Sequence, residues 1–200
     1  MKKISFLLIA MGLFFVIPLS AGATETVGTT VITGGELTLD LGDSTINFPD
    51  TTLDGTIKTI SAQVPSVTIT DATGIGDGWQ LLVNATPFVE KMPVGGFKPG
   101  TKAKTFTNET LTIKPNAITP IDGGLLTGVT LNTARQNIVG GDVVIATATK
   151  GNGLGKYVID FGTNPLELQL LHKAYVDLVN YPTGGTVYES TLTWKVVVAP

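Results

Sequence analysis

The 200-residue chain holds one histidine, His172, and no cysteine. A serine nucleophile of the Ser-His-Asp kind needs an imidazole as its base. His172 stands in Leu170-Leu171-His172-Lys173, which offers no nucleophile elbow. A lone histidine beside an apolar strand is expected to be structural. The missing cysteines remove thiol nucleophiles, thiolate metal sites and any disulfide framework. Carboxylates remain as candidate acids and bases, since a suitable pair can hydrolyse a glycoside. Asp71 and Asp77 are close in sequence, and with Thr73 they also offer oxygens to a calcium ion. The stretch lacks the Asp-x-Asp spacing and terminal Glu of a dedicated calcium loop. Both aspartates sit in a glycine-rich run, where Asp commonly bonds its own backbone. We therefore expect a plain turn, no metal, no cofactor and no enzyme activity. The glycine pairs stand alone and lead into strands, so no phosphate-binding or dinucleotide loop is expected. Asn84-Ala85-Thr86 and Asn108-Glu109-Thr110 fit the glycosylation acceptor pattern, but so short a pattern recurs by chance.

The start of the chain reads as an export leader. Lys2 and Lys3 precede an apolar run at 4–17, and Ala21-Gly22-Ala23 supplies small side chains for a signal peptidase. The run is too short for a membrane span, which needs about 20 apolar residues. Cleavage after Ala23 is expected, leaving residues 24–200 as one mature domain with no membrane span. The net charge of −3 becomes more negative once Lys2 and Lys3 are gone. An acidic chain of this kind gives no footprint for nucleic acid and no polybasic segment for lipid. The leader, together with the absence of cysteine, suggests a bacterial exported protein.

What positions the remaining residues is a series of short strands. Charged residues are only 14% of the chain, against 24 Gly and 11 Pro, so turns are frequent. Alternating apolar and polar residues predict strands at 36–41, 57–64, 66–70, 79–85, 111–113, 143–149, 156–161, 166–170 and 188–198. Residues 174–180 fit a strand or one helical turn. Residues 87–103, with three Pro and three Gly, read as a long surface loop and the best place for a partner-specific contact. The fold class expected is all-β: a single antiparallel β-sandwich-like domain, with sequential strands pairing as hairpins.

Two tryptophans carry a family resemblance. Trp79 and Leu81 follow Asp71-Ala72-Thr73-Gly74-Ile75-Gly76-Asp77-Gly78. Trp194 lies in Tyr188-Glu189-Ser190-Thr191-Leu192-Thr193-Trp194-Lys195-Val196, close to Pro200. These paired motifs resemble those of the WxL domain family of Gram-positive bacterial cell-surface proteins. The family's second motif reads Tyr-x-x-x-Leu-Thr-Trp-x-Leu, and here Val196 stands at its last position. The resemblance covers the chain from about Thr30 to Pro200. It implies non-covalent attachment to the cell wall through peptidoglycan. It also implies companion cell-surface proteins as partners, and in some members host matrix proteins. The motif residues that would bind are Trp79, Leu81, Tyr188, Leu192, Thr193, Trp194 and Val196. No sorting motif with an apolar tail is seen near Pro200, so non-covalent attachment is the expectation.

The residues themselves allow two roles for the indoles. An exposed ring is a platform for sugar C–H groups with an N–H donor at its edge. A buried ring is a core anchor. Trp194 alternates with Leu192, Val196 and Val198, and Trp79 with Leu81 and Val83, which favours an inward or seam position for both. The alternative function is a protein-binding adhesin or assembly subunit whose exposed sheet edges take a partner strand.

Overall fold

The computed structural model describes residues 29–42, 45–106, 110–171 and 175–200. The leader, His172 and Asn108-Glu109 lie outside the described residues. Fourteen strands and no helix are found among those described. In chain order they are β1 (Leu37–Asp40), β2 (Lys58–Ala62), β3 (Val67–Asp71), β4 (Trp79–Ala85), β5 (Val89–Glu90), β6 (Thr110–Ile113) and β7 (Ala117–Ile121). There follow β8 (Val129–Leu131), β9 (Gln136–Asn137), β10 (Val143–Ala148), β11 (Gly155–Asp160), β12 (Leu166–Leu170), β13 (Tyr188–Glu189) and β14 (Leu192–Val198).

Three four-stranded sheets carry the orders β1-β3-β11-β7, β14-β4-β10-β8 and β2-β12-β6-β9, with a two-stranded ribbon of β13 and β5. Every one of these ladders is antiparallel. None joins strands consecutive in sequence, which corrects the expectation of sequential hairpins. Consecutive strands fall in different sheets, because each turn hands the chain across the core rather than back along its own edge. The result is an all-β, sandwich-like arrangement.

The alternation of β4 is complete: Trp79, Leu81, Val83 and Ala85 are buried, while Gln80, Leu82 and Asn84 are only partly covered. Val67 and Ile69 of β3, Tyr157 and Ile159 of β11, and Leu166 and Leu168 of β12 join them in one apolar cluster. Fully removing such side chains from water is worth about 1.5–3 kcal/mol each. Two of the sheets meet through ring contacts: Trp79 lies 5.5 Å from Tyr157, and Phe161 lies 5.5 Å from Trp194. The β6 side is stitched on by Ile138, whose N–H donates to Leu111 O and whose carbonyl accepts from Ala85 N. Residues 33–200 form one unit that holds every strand. Of residues 1–32, only 29–32 are described, without regular structure and with Val31 and Ile32 exposed.

Several local expectations change. β7, β8 and β9 lack a readable alternation and were not expected. The surface loop at 87–103 contains β5, and Glu90 within it is buried. The expected last strand, 188–198, is broken at Ser190 and Thr191. There Ser190 Oγ donates to Thr86 O at 2.6 Å, and Thr191 N–H donates to Thr86 Oγ1 at 3.0 Å. Residues 178–180 form a turn.

Candidate functional site

The approach to Trp79 is fixed by backbone contact. Gly78 has φ +75°, and a Cβ there would lie 2.4 Å from Ala148 O. Only glycine fits both the left-handed backbone and that close approach. The Trp79 ring then enters the core with no exposed surface, and its Nε1–H donates to Gly153 O at 2.9 Å. Gly153 brings its carbonyl in because it too lacks a Cβ; one would sit 2.7 Å from Trp79 Nε1. Tyr157 covers the indole, and its hydroxyl donates to Leu125 O at 2.8 Å. The first Trp-x-Leu is therefore a sealed anchor with its one polar atom satisfied, as a buried indole requires.

The second motif lies directly beside the first. β14 pairs with β4 so that Val198 faces Trp79, Val196 faces Leu81, Trp194 faces Val83 and Leu192 faces Ala85. Val196 thus meets Leu81 across the ladder. A valine at this position keeps an apolar cross-strand contact. β14 is the outermost strand of its sheet, so Trp194 is only partly buried, with its ring edge-on to Phe161. On the opposite face Lys195 pairs with Asp142, which also accepts from Asn84 Nδ2 at 2.5 Å. The Lys195 hydrogen bond, then that of Asn84, holds the Asp142 carboxyl below its usual range. Thr193 is exposed on this outer face.

Tyr188 heads an aromatic series. Its ring lies 4.3 Å from Phe106, which lies 4.7 Å from Tyr175 and 5.7 Å from Phe88; Phe48 closes the row at 5.9 Å from Phe88. The Tyr188 hydroxyl donates to Tyr175 O at 2.7 Å. Burial, and then the nearby Glu90 carboxylate, pushes its pKa up to about 12.

Tyr188, Leu192 and Trp194 line a groove of about 1250 Å³. One wall is residues 45–53, an irregular stretch carrying Ile46 and Phe48; another is residues 185–192. Ile60 of β2 and Leu168 and Leu170 of β12 supply apolar surface within it. Lys91, Thr45, Asp50, Ser190 and Thr191 are among its polar lining groups.

The expected site residues therefore divide. Trp79, Leu81 and Val196 stand behind the groove, Tyr188, Leu192 and Trp194 line it, and Thr193 turns away. Sequence reading missed Gly153, Phe161 and the wall at 45–53. The aromatic Phe48 between Asn47 and Pro49 was the one local signal for that wall. Asp71 is engaged locally: its Oδ1 accepts from Thr73 N at 3.1 Å and from Thr73 Oγ1 at 2.6 Å. Thr86 of the first acceptor pattern serves the Ser190-Thr191 break described above. Among the described residues no three acidic or histidine side chains are grouped to hold a metal ion.

The two motifs are thus one sealed Trp-x-Leu and, paired beside it, a Trp-x-Val strand that lines an open groove. A family model described as WxL domain, surface cell wall-binding, matches residues 19–200, and the chain belongs to that family. It is accordingly a cell-surface protein of the cell wall. No curated protein and no solved structure matches it. No helix among the described residues is long and apolar enough to cross a membrane.

Proposed function

We propose that the chain is a non-catalytic surface protein held at the cell wall without a covalent link, by binding peptidoglycan in the groove beside Trp194. One observation carries this reading: the second motif turns Tyr188 and Trp194 toward an open groove, whereas the first motif is sealed. A pyranose ring offers C–H faces that pack on aromatic rings and hydroxyls that bond to polar groups such as Thr45, Ser190 and Thr191. Binding pockets for small ligands run to about 300–1,000 Å³, so a groove of this volume has room for more than one sugar ring. In this reading Tyr188, Leu192 and Trp194 contact the glycan, while Trp79, Leu81 and Val196 hold β14 in place. Residues 1–23 are removed on export and residues 24–200 are the working domain.

A second reading rests on the edge position of β14, where Val197 and Val198 are exposed. An outer strand can accept a strand from another protein. A companion surface protein or a host matrix component would then be the docking partner.

Co-sedimentation with purified sacculi stripped of protein and teichoic acid separates the two. Peptidoglycan binding predicts pelleting that survives moderate salt, since a charge-driven contact weakens as salt screens it. Trp194→Ala should then abolish pelleting with little change in melting. A folded wild-type protein that stays in the supernatant would move the protein-partner reading to first place.

A further inference from the structure

Two loops that border the groove through Lys91, Tyr175 and Val187 carry, on side chains outside its lining, a second surface of different chemistry. Residues 91–104 and 175–187 are locked together at one end of the fold. Lys98 N–H donates to Asn180 Oδ1 at 2.9 Å, Lys104 Nζ to Val176 O at 3.0 Å and Lys91 N–H to Val187 O at 2.9 Å. Asp177 secures the second loop from within, accepting from Val179 N at 2.9 Å and from Asn180 Nδ2 at 2.9 Å.

This end displays apolar side chains to water. Val94 has 107% of its reference area exposed, Leu178 68% and Met92 65%, with Val179 also exposed. Apolar side chains exposed together rather than scattered singly mark interaction sites on soluble proteins, and the loops that carry these are joined by the Lys98–Asn180 and Lys91–Val187 bonds. The charge around it has one sign. Lys98 and Lys102 are exposed and have no ion-pair partner among the described residues. The carboxylates of these loops and the adjoining ribbon leave no net negative charge there: Glu90 and Asp177 are buried, and the exposed Glu189 is neutralised by its ion pair with Lys91. The two joined loops therefore present exposed apolar side chains together with two lysines that have no ion-pair partner among the described residues.

We propose that this end docks on an anionic lipid bilayer, with Val94, Met92 and Leu178 entering the boundary between headgroups and acyl chains and Lys98 and Lys102 meeting lipid phosphates. A soluble polyanion would satisfy the lysines and leave the apolar tip in water. A side chain as fully projecting as Val94 finds its complement in a fluid apolar medium, which needs no preformed pocket. Burial of apolar surface combined with attraction to anionic headgroups is what holds interfacial segments on membranes. The inference depends on the surface location of the protein and not on the glycan reading of the groove. It adds a contact that would seat the protein where wall and membrane meet.

The test uses the exported protein and vesicles of phosphatidylcholine, alone or with about 30 mol% phosphatidylglycerol, an anionic fraction sufficient to attract lysines. Flotation should recover the protein with the anionic vesicles. The double variant Val94→Asp/Leu178→Asp should float at least about tenfold less, given the area withdrawn from lipid. Lys98→Glu/Lys102→Glu should lose the anionic preference. A loop-specific readout is Val94→Trp, whose added emission should shift to the blue on anionic vesicles and be quenched by lipids brominated in the acyl chains. Sedimentation with sacculi should be unchanged in all four proteins, which separates this contact from the groove. Should the aspartate pair alter melting, Val94→Ser/Leu178→Ser takes its place. The proposal is overturned if wild type ignores anionic vesicles, if the loop variants float like wild type, or if the Val94→Trp emission is not quenched. Equal binding to soluble polyphosphate, or capture of a protein by this end without lipid, overturns it as well.

Discussion

Replacing Trp79 by alanine removes the largest fully buried side chain of the core together with the donor to Gly153 O. Truncating a buried Trp costs about 3–5 kcal/mol, from lost transfer energy and the cavity left behind. The orphaned Gly153 carbonyl places the total toward the upper end of that range, because a buried acceptor without a donor costs about 1–3 kcal/mol. Trp194 gives a different sum. Its ring is partly in water at a sheet edge and no buried hydrogen bond depends on it, so Trp194→Ala should cost about 1–2 kcal/mol, a fraction of a full burial. At roughly 2–4 °C per kcal/mol for a domain of this size, Trp79→Ala should lower Tm by about 10 °C or more, and Trp194→Ala by only a few degrees. Trp79→Phe separates packing from hydrogen bonding: it keeps most of the ring and should lose about 1–3 kcal/mol for the stranded carbonyl. Urea titration of the three variants and wild type measures these differences directly. Equal losses for Trp79→Ala and Trp194→Ala would refute the division between a sealed and an open motif. A Trp79→Phe protein as stable as wild type would refute the role given to Gly153.

Two further predictions follow from the same geometry. Gly78→Ala should cost about 2 kcal/mol or more, since a left-handed alanine is itself strained by about 1–2 kcal/mol and its Cβ meets Ala148 O; a melting temperature within a degree of wild type would show that this approach is not constrained. Tyr188 has a pKa raised from the ordinary value of about 10 to about 12, so the folded state holds its proton where the unfolded chain releases it. That contribution is fully present below about pH 10 and is lost as pH rises through about 12. Tyr188→Phe should flatten the alkaline fall of stability, measured by melting between those pH values, and an unchanged slope would exclude the Tyr188 phenol as its source.

Much of the strand content was legible because it rests on neighbours two residues apart. The strand at Trp79–Ala85 was read to the residue, as was Leu166–Leu170, since both alternate without interruption. β7 was not legible because Pro120 stands inside it, and a proline normally argues against a strand interior. The structure accommodates it because β7 is the outer strand of its sheet and pairs only with β11. The two-residue strands β5, β9 and β13 are too short to show any period. The wall of the groove at 45–53 has no regular structure, so only its aromatic and apolar residues hinted at a role.

By itself the sequence determined the alternation of each long strand, the order of the two motifs, the family they mark and the scarcity of catalytic side chains. The exposure of the two tryptophans was beyond its reach. Trp79 and Trp194 share one local pattern, apolar at every second residue, and periodicity assigns both to the same kind of face. Only the tertiary structure set β4 between β14 and β10 and left β14 on the outside. A strand flanked on both sides is sealed by its neighbours, while an outer strand keeps part of each inward side chain within reach of solvent. The outer place of β14 is decided by pairings between residues more than a hundred positions apart, such as Trp194 with Val83, and no short window along the chain contains both.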